Sequence, residues 1–278
     1  MNREQELAVV RRAYAKQIMA AAGVDDPRVE AAFAAVERER YLGPGPWPVL
    51  LYTGYTPTPD DDPVHLYYDV LIGIVPERGL NNGMPSFHAL LMTRAGIRPG
   101  DHVVHIGAGV GYYTAIMAHL VGATGRVTAI EFDATLARRA ASNFSNAANV
   151  QVREGDGFSM PFENADVIYV NAGATHPAEN WLDRLNDGGR LILPLTVERT
   201  LHGAVFRIER DGEGYLADWV CGVGIYPCEG GRDDASEAAL DAALRKGGWQ
   251  AVTRLYRAGN LPDDRCWLRG HRWALAYE

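Results

Sequence analysis

Between Val103 and Ile116 the chain reads VVHIGAGVGYYTAI. An apolar run stops at three glycines spaced two apart, Gly107, Gly109 and Gly111, and aromatic and helix-forming residues follow. This is a strand turning sharply into a helix. Glycine permits positive φ and lets another molecule approach the backbone, and the helix that follows presents unpaired N–H groups at its start. A tight turn that binds nothing is the bland alternative, but three alternating glycines exceed what such a turn needs.

The segments around this loop repeat the alternation. HVVHIGA, RVTAIEF, VQVREGD, ADVIYVNAG and GRLILPL read as strands, whereas PSFHALLMTRAGI, YYTAIMAHLVG, ATLARRAASNFSNA and AENWLDRLN read as helices, the last stopping at Gly188-Gly189. Apolar strands alternating with amphipathic helices indicate βαβ units and a parallel sheet. Upstream, residues 3–21 and 26–39 read as helices, the second with Asp26 as N-cap and Pro27 at the first helical position. GPGPWP ends helical structure, and YTGYTPTPDDDP (52–63) is expected to be irregular and is a candidate lid. Downstream, AVFRIERDGEGYLADWVCGVGIYP reads as antiparallel strands joined at Asp211-Gly212, residues 235–246 as a helix, and CWLRGHRWALAYE as an aromatic-rich strand or hairpin. The chain divides on this reading into N-terminal helices and an irregular cap (1–66), a ligand-binding α/β domain (67–228) and a C-terminal extension packed on it (229–278).

Charge and cysteine usage narrow the function. The net charge is -8 with no block of Lys and Arg, which argues against an extended nucleic-acid track. Cys221, Cys228 and Cys266 form no CxxC pair and no metal-ligand spacing, so free thiols in a reducing compartment and no metal site are expected. Charges interrupt MNREQELAVVRRAYAKQ where a signal peptide would be apolar, and no stretch has the length of a membrane span. The expectation is a cytoplasmic enzyme or binding protein with no nucleic-acid or membrane partner; oligomeric state is not legible.

The loop is G-x-G-x-G. The dinucleotide fingerprint G-x-G-x-x-G would need glycine at Tyr112. Glu131 ends the next strand, about twenty residues on, where a carboxylate can accept both hydroxyls of a ribose, in NAD enzymes as elsewhere. Asp156, in REGDGF, ends the third strand and could accept from an adenine amino group, with Gly157 leaving room for the ring. Three such features on successive strand ends suit a nucleoside pocket better than three unrelated turns.

From about Val29 to Cys228, RVEAAFAAVERERYLGP, MPSFHALLM, PGDHVVHIGAGVGYYTAIMAHLVG, GRVTAIE, NVQVREGDG, ADVIYVNAGA, LDRLNDGGRLILPL and GIYPC follow one another in an order that resembles the protein-L-isoaspartate O-methyltransferase family. The resemblance implies a Rossmann-like class I methyltransferase fold: an α/β, mostly parallel sheet with helices on both faces and an antiparallel strand. It implies S-adenosyl-L-methionine as methyl donor, with S-adenosyl-L-homocysteine as product. Carried over by position, Gly107, Ala108, Gly109, Gly111, Glu131, Phe132, Asp156, Gly157 and Asn171 should line the cofactor pocket, Phe132 against the adenine and Ala108 beside the methionine part.

The chain departs from the family at the acceptor end. The family's Thr-Ile-Ser stretch, whose serine lies close to the reacting carboxylate, falls on Asn81, Asn82 and Gly83. Asn81, Asn82, Ser86 and His88 are therefore the candidates for orienting the methyl acceptor, Asn82 foremost, with His176 near by on the fourth strand's loop. His105 stands where many methyltransferases place an acid, and reads as a neutral, hydrogen-bonded histidine. The functional expectation is O-methylation of a peptide or protein carboxylate. Methylation of a small metabolite and a non-catalytic cofactor-binding module are the alternatives.

Overall fold

The computed structural model describes residues 2–198, 202–258, 261–262 and 264–278. In chain order the elements are α1 (Arg3–Ala22), α2 (Pro27–Ala35), β1 (Pro48–Leu51), β2 (Gly54–Pro57), β3 (Gly73–Val75), β4 (Leu80–Asn81), α3 (Pro85–Ala95), β5 (His102–Ile106), α4 (Tyr112–Val121), β6 (Arg126–Glu131), α5 (Ala134–Asn143), β7 (Val150–Glu154), β8 (Ala165–Val170), α6 (Glu179–Asp183), β9 (Leu185–Val197), β10 (His202–Asp211), β11 (Gly214–Val223), α7 (Asp234–Lys246), β12 (Arg254–Arg257), β13 (Cys266–Arg269) and β14 (Trp273–Ala276). They gather into two compact units, residues 1–100 with 108–154, and residues 101–107 with 155–278.

In the first unit, local chemistry sets the helix starts. Asn2 and Gln5 form a reciprocal capping box on α1, and the Asp26 side chain accepts from the N–H groups of Arg28 and Val29 at the start of α2. The second helix ends at Ala35, earlier than the 26–39 read from sequence, because Arg38 turns inward. Its buried guanidinium donates to the carbonyls of Leu66 (2.8 Å) and Val70 (2.8 Å) and lies 5.5 Å from the centre of the Tyr112 ring. A buried cation is tolerable when carbonyls and an aromatic face replace its water. Arg38 thereby fixes the segment that carries Asp69. Asp69 in turn accepts from the Ser86 N–H at 2.8 Å, capping α3 in place of Met84, whose side chain cannot. Tyr112 is buried against Tyr14, Phe33 and Tyr41, so the position where a dinucleotide fingerprint has glycine here packs the N-terminal helices.

The turn-rich stretch 52–63 is more regular than read. β1 and β2 form an antiparallel hairpin, Pro48 opposite Pro57, anchored by Trp47 and Val49 in a core with Leu66, Val70 and Ile72. β6 and β7 pair in parallel, Val127 opposite Val150.

The second unit orders its strands β13-β14-β12-β11-β10-β9-β8-β5. β5, β8 and β9 are parallel, and β5 is buried along its whole length, as a strand covered on both faces must be. The antiparallel part continues beyond one strand through β10, β11, β12, β14 and β13. Asp211 and Gly214 close the β10–β11 hairpin, as the Asp211-Gly212 turn predicts. The helix read up to Gly188-Gly189 stops at Asp183, because Leu185 already pairs with Ala165 and opens β9. Trp267 and Trp273 are core residues of the C-terminal strands, Trp267 packing on Phe206 and donating to the Gly247 carbonyl at 3.1 Å. Among the described residues no helix is long and apolar enough to cross a membrane.

Candidate active site

In the first unit the glycine loop meets the end of β6. The Gly109 N–H donates to Glu131 Oε2 at 2.7 Å, and the Asp133 N–H donates to Oε1 at 2.9 Å. Burial pushes the Glu131 carboxyl above its ordinary value, and the two N–H groups oppose that. A carboxylate oxygen accepts more than one hydrogen bond, so each retains capacity for a hydroxyl donor. A mostly buried carboxylate held in place by backbone, with acceptor capacity left on both oxygens, fits a ribose diol. Gly109 (φ +58°) is the loop glycine with room: a Cβ there would find only Ile74 Cδ1, at 3.6 Å. Gly111 is bare for another reason, since the Phe144 ring occupies its side-chain position. Ala108 is buried, and its N–H donates to the Ile130 carbonyl. Phe132 has a half-exposed ring, free to lie against a flat ligand. Asp133 caps α5 through Thr135 and Leu136, and its Arg78 partner holds its carboxyl below the usual range.

The same unit holds the four acceptor-end candidates. The Asn81 side chain is engaged in its own turn: Oδ1 accepts from the Gly83 N–H at 2.8 Å, and Nδ2 lies 3.2 Å from both the Tyr55 hydroxyl and the Gly79 carbonyl. Asn82 is 6% exposed, and its Nδ2 has no hydrogen-bond partner among the described residues. Ser86 gives its N–H to Asp69. His88 is fully buried and stacks on Tyr113, ring centres 3.7 Å apart. Tyr113, which the sequence reading passed over, donates its hydroxyl to the Gly83 carbonyl at 3.0 Å. Its place as the second residue of α4, directly behind the glycine loop, is the signal that could have pointed to it.

In the second unit, Asn171 Nδ2 donates to the Gly107 carbonyl at 3.2 Å, and the Asn171 carbonyl lies 3.0 Å from where a Gly107 Cβ would sit. Asp156 accepts from the Phe158 N–H (2.8 Å) and the Ser159 hydroxyl (2.7 Å). The space beside Gly157 belongs to Ile106, whose Cγ2 would lie 2.5 Å from an added Cβ, so packing on β5 accounts for this glycine. Gly230, just past GIYPC, runs over the Asp156 carboxylate so closely that a Cβ would lie 2.6 Å from Oδ2. Sequence reasoning missed this segment, since two glycines in a loop carry no period. Burial pushes the Cys228 thiol up to about 12. His176 rests edge-on to Phe158, with Asp233 3.4 Å from Nδ1; burial lowers its pKa and Asp233 opposes the change. His105 is wholly buried and held down to about 3 by burial, hence neutral at pH 7 as its context predicts.

Residues 11–226 match the family described as Protein-L-isoaspartate(D-aspartate) O-methyltransferase. The chain belongs to that family. A Rhodopseudomonas palustris protein-L-isoaspartate O-methyltransferase 1 is 30% identical over 242 residues, 86% of this chain and 90% of that protein. A Thermotoga maritima protein-L-isoaspartate O-methyltransferase is 32% identical over 133 residues, 46% of this chain and 42% of that protein. A Plasmodium falciparum protein-L-isoaspartate O-methyltransferase, solved in complex with S-adenosyl-L-homocysteine, superposes with a TM-score of 0.63 at 19% identity, covering 79% of this chain and 98% of that one. The fold is thus the class I methyltransferase fold, and the chain is an S-adenosyl-L-methionine-dependent methyltransferase.

Proposed function

We propose that this family member O-methylates a side-chain carboxylate of a peptide or protein, the isoaspartyl carboxylate for which its relatives are named. The observation that carries the reading is the Gly109–Glu131–Asp133 clasp, built on a chain whose residues 11–226 match the family. Glu131 takes the ribose and Phe132 the adenine. Ala108 and Gly109 shape the backbone around it. When bound, S-adenosyl-L-methionine supplies both the electrophilic methyl and its leaving group. An acceptor carboxylate is ionised at neutral pH and needs no base. The protein's task is then alignment and exclusion of water. Asn82 suits the alignment: a buried amide donor without a partner is costly, and an acceptor oxygen would satisfy it.

Gly83 at the family's serine position favours a second reading, a small carboxylic acid as acceptor. One assay separates the two. Methyl incorporation is measured with an isoaspartyl peptide, its aspartyl twin and a panel of free carboxylic acids, after calorimetry with S-adenosyl-L-homocysteine and NAD. Turnover restricted to the isoaspartyl peptide is the expected result. Turnover of free acids alone would replace it with the second reading, and preferential NAD binding would sink both.

A further inference from the structure

Gly83 is held from three sides. Its N–H donates to Asn81 Oδ1 at 2.8 Å, and its carbonyl accepts from the Tyr113 hydroxyl at 3.0 Å. The volume its side chain would fill is taken by His88: a Cβ built on Gly83 would abut Nε2, with Cδ2 3.0 Å and Cε1 3.6 Å away. His88 cannot swing aside freely, because its ring lies flat on Tyr113 at 3.7 Å, with an interplanar angle of 24°. Position 83 also has φ +74°, which an L side chain rarely adopts. A serine here would meet the imidazole at once. The glycine at 83 and the histidine at 88 therefore depend on each other.

The clamped residue adjoins Asn82, whose backbone N–H is fixed to the Ile72 carbonyl at 2.9 Å and whose buried Nδ2 has no acceptor among the described residues. We propose that His88 and Tyr113 are positioning residues for the methyl acceptor. They lock the Gly83 turn so that the Asn82 amide, rather than a hydroxyl at position 83, meets the acceptor carboxylate. The proposal rests on the reading that the acceptor is a carboxylate, and specifies how this chain recognises it without the serine that the family resemblance implies.

The test reads acceptor KM and kcat alongside the affinity for S-adenosyl-L-homocysteine, with thermal unfolding as a control for folding. The acceptor is whichever carboxylate the wild-type protein turns over, isoaspartyl peptide or free acid, so the outcome does not hinge on the peptide assignment. His88→Val is expected to raise acceptor KM about tenfold and leave S-adenosyl-L-homocysteine binding within twofold. Tyr113→Phe, which removes only the hydroxyl, is expected to raise KM about threefold. Adding Gly83→Ser to His88→Val, where the imidazole overlap is gone and only the backbone strain at φ +74° remains, should recover part of the lost KM, whereas Gly83→Ser alone should not. A purely structural role for His88 would show as lost unfolding temperature and cofactor affinity with no recovery on adding the serine. Acceptor KM within twofold of wild type in both His88→Val and Tyr113→Phe overturns the proposal while leaving the methyltransferase reading intact.

Discussion

Two corners of the first unit are each built on a positive-φ glycine, and the glycines serve opposite ends. At Gly109 an added Cβ would meet only Ile74 Cδ1, at an ordinary contact distance of 3.6 Å, and the N–H is aimed at the Glu131 carboxylate. At Gly83 the missing side chain is filled by His88, and both backbone polar groups are tied to the protein itself. One glycine frees an N–H for a neighbouring carboxylate; the other makes room for a neighbouring ring. The same residue type in a loop is thus no statement about binding until what occupies its absent Cβ is known.

The largest effect should come from Gly83→Ala. It combines a strained φ with overlap on His88, and should cost about 3 kcal/mol of unfolding free energy in urea. Gly109→Ala meets no overlap, so only the backbone penalty of about 1 kcal/mol applies. Equal losses at the two sites would erase the contrast.

Next, Glu131→Ala should weaken S-adenosyl-L-homocysteine binding by about 1–3 kcal/mol in calorimetry, through lost charge-assisted hydrogen bonds. The pH trend sharpens this. Burial raises the Glu131 pKa above its unfolded 4.5, so across that window the folded protein holds a proton that the unfolded chain has lost. This carboxyl's contribution to stability therefore falls as pH rises from 4.5 through the raised value. Ligand affinity should run the other way, since hydroxyl donors need the ionised form. Affinity should weaken on acidification before pH 4.5 is reached, and in Glu131→Gln that dependence should vanish.

The smallest effect belongs to the support of the Gly83 corner. Asp69→Ala removes the oxygen that caps α3 at Ser86 and should cost about 1 kcal/mol in the same urea titration. No change would mean that the helix start, and with it His88, is held by packing alone.

Much of the frame was legible because its causes are local. Asp26 caps the helix that follows it, and Asp211-Gly212 turns its hairpin, since each acts within a few residues of itself. β12, only four residues long, escaped notice, as did the β1–β2 hairpin with its two prolines, because neither carries enough period to read. The early start of β9 was hidden because Leu185 is recruited by Ala165, twenty positions away.

The same division runs through the active site. The sequence by itself determined the strand, the bare loop and the acid at the next strand's end, for apolar runs, glycine spacing and strand length are written residue by residue. Only the tertiary structure decided that Ile106 fills the space at Gly157, that Arg38 sets the Asp69 segment, and that His88 fills the gap at Gly83. Those outcomes depend on which face a helix turns toward a loop, a choice made when the core packs and not by any neighbour in the chain.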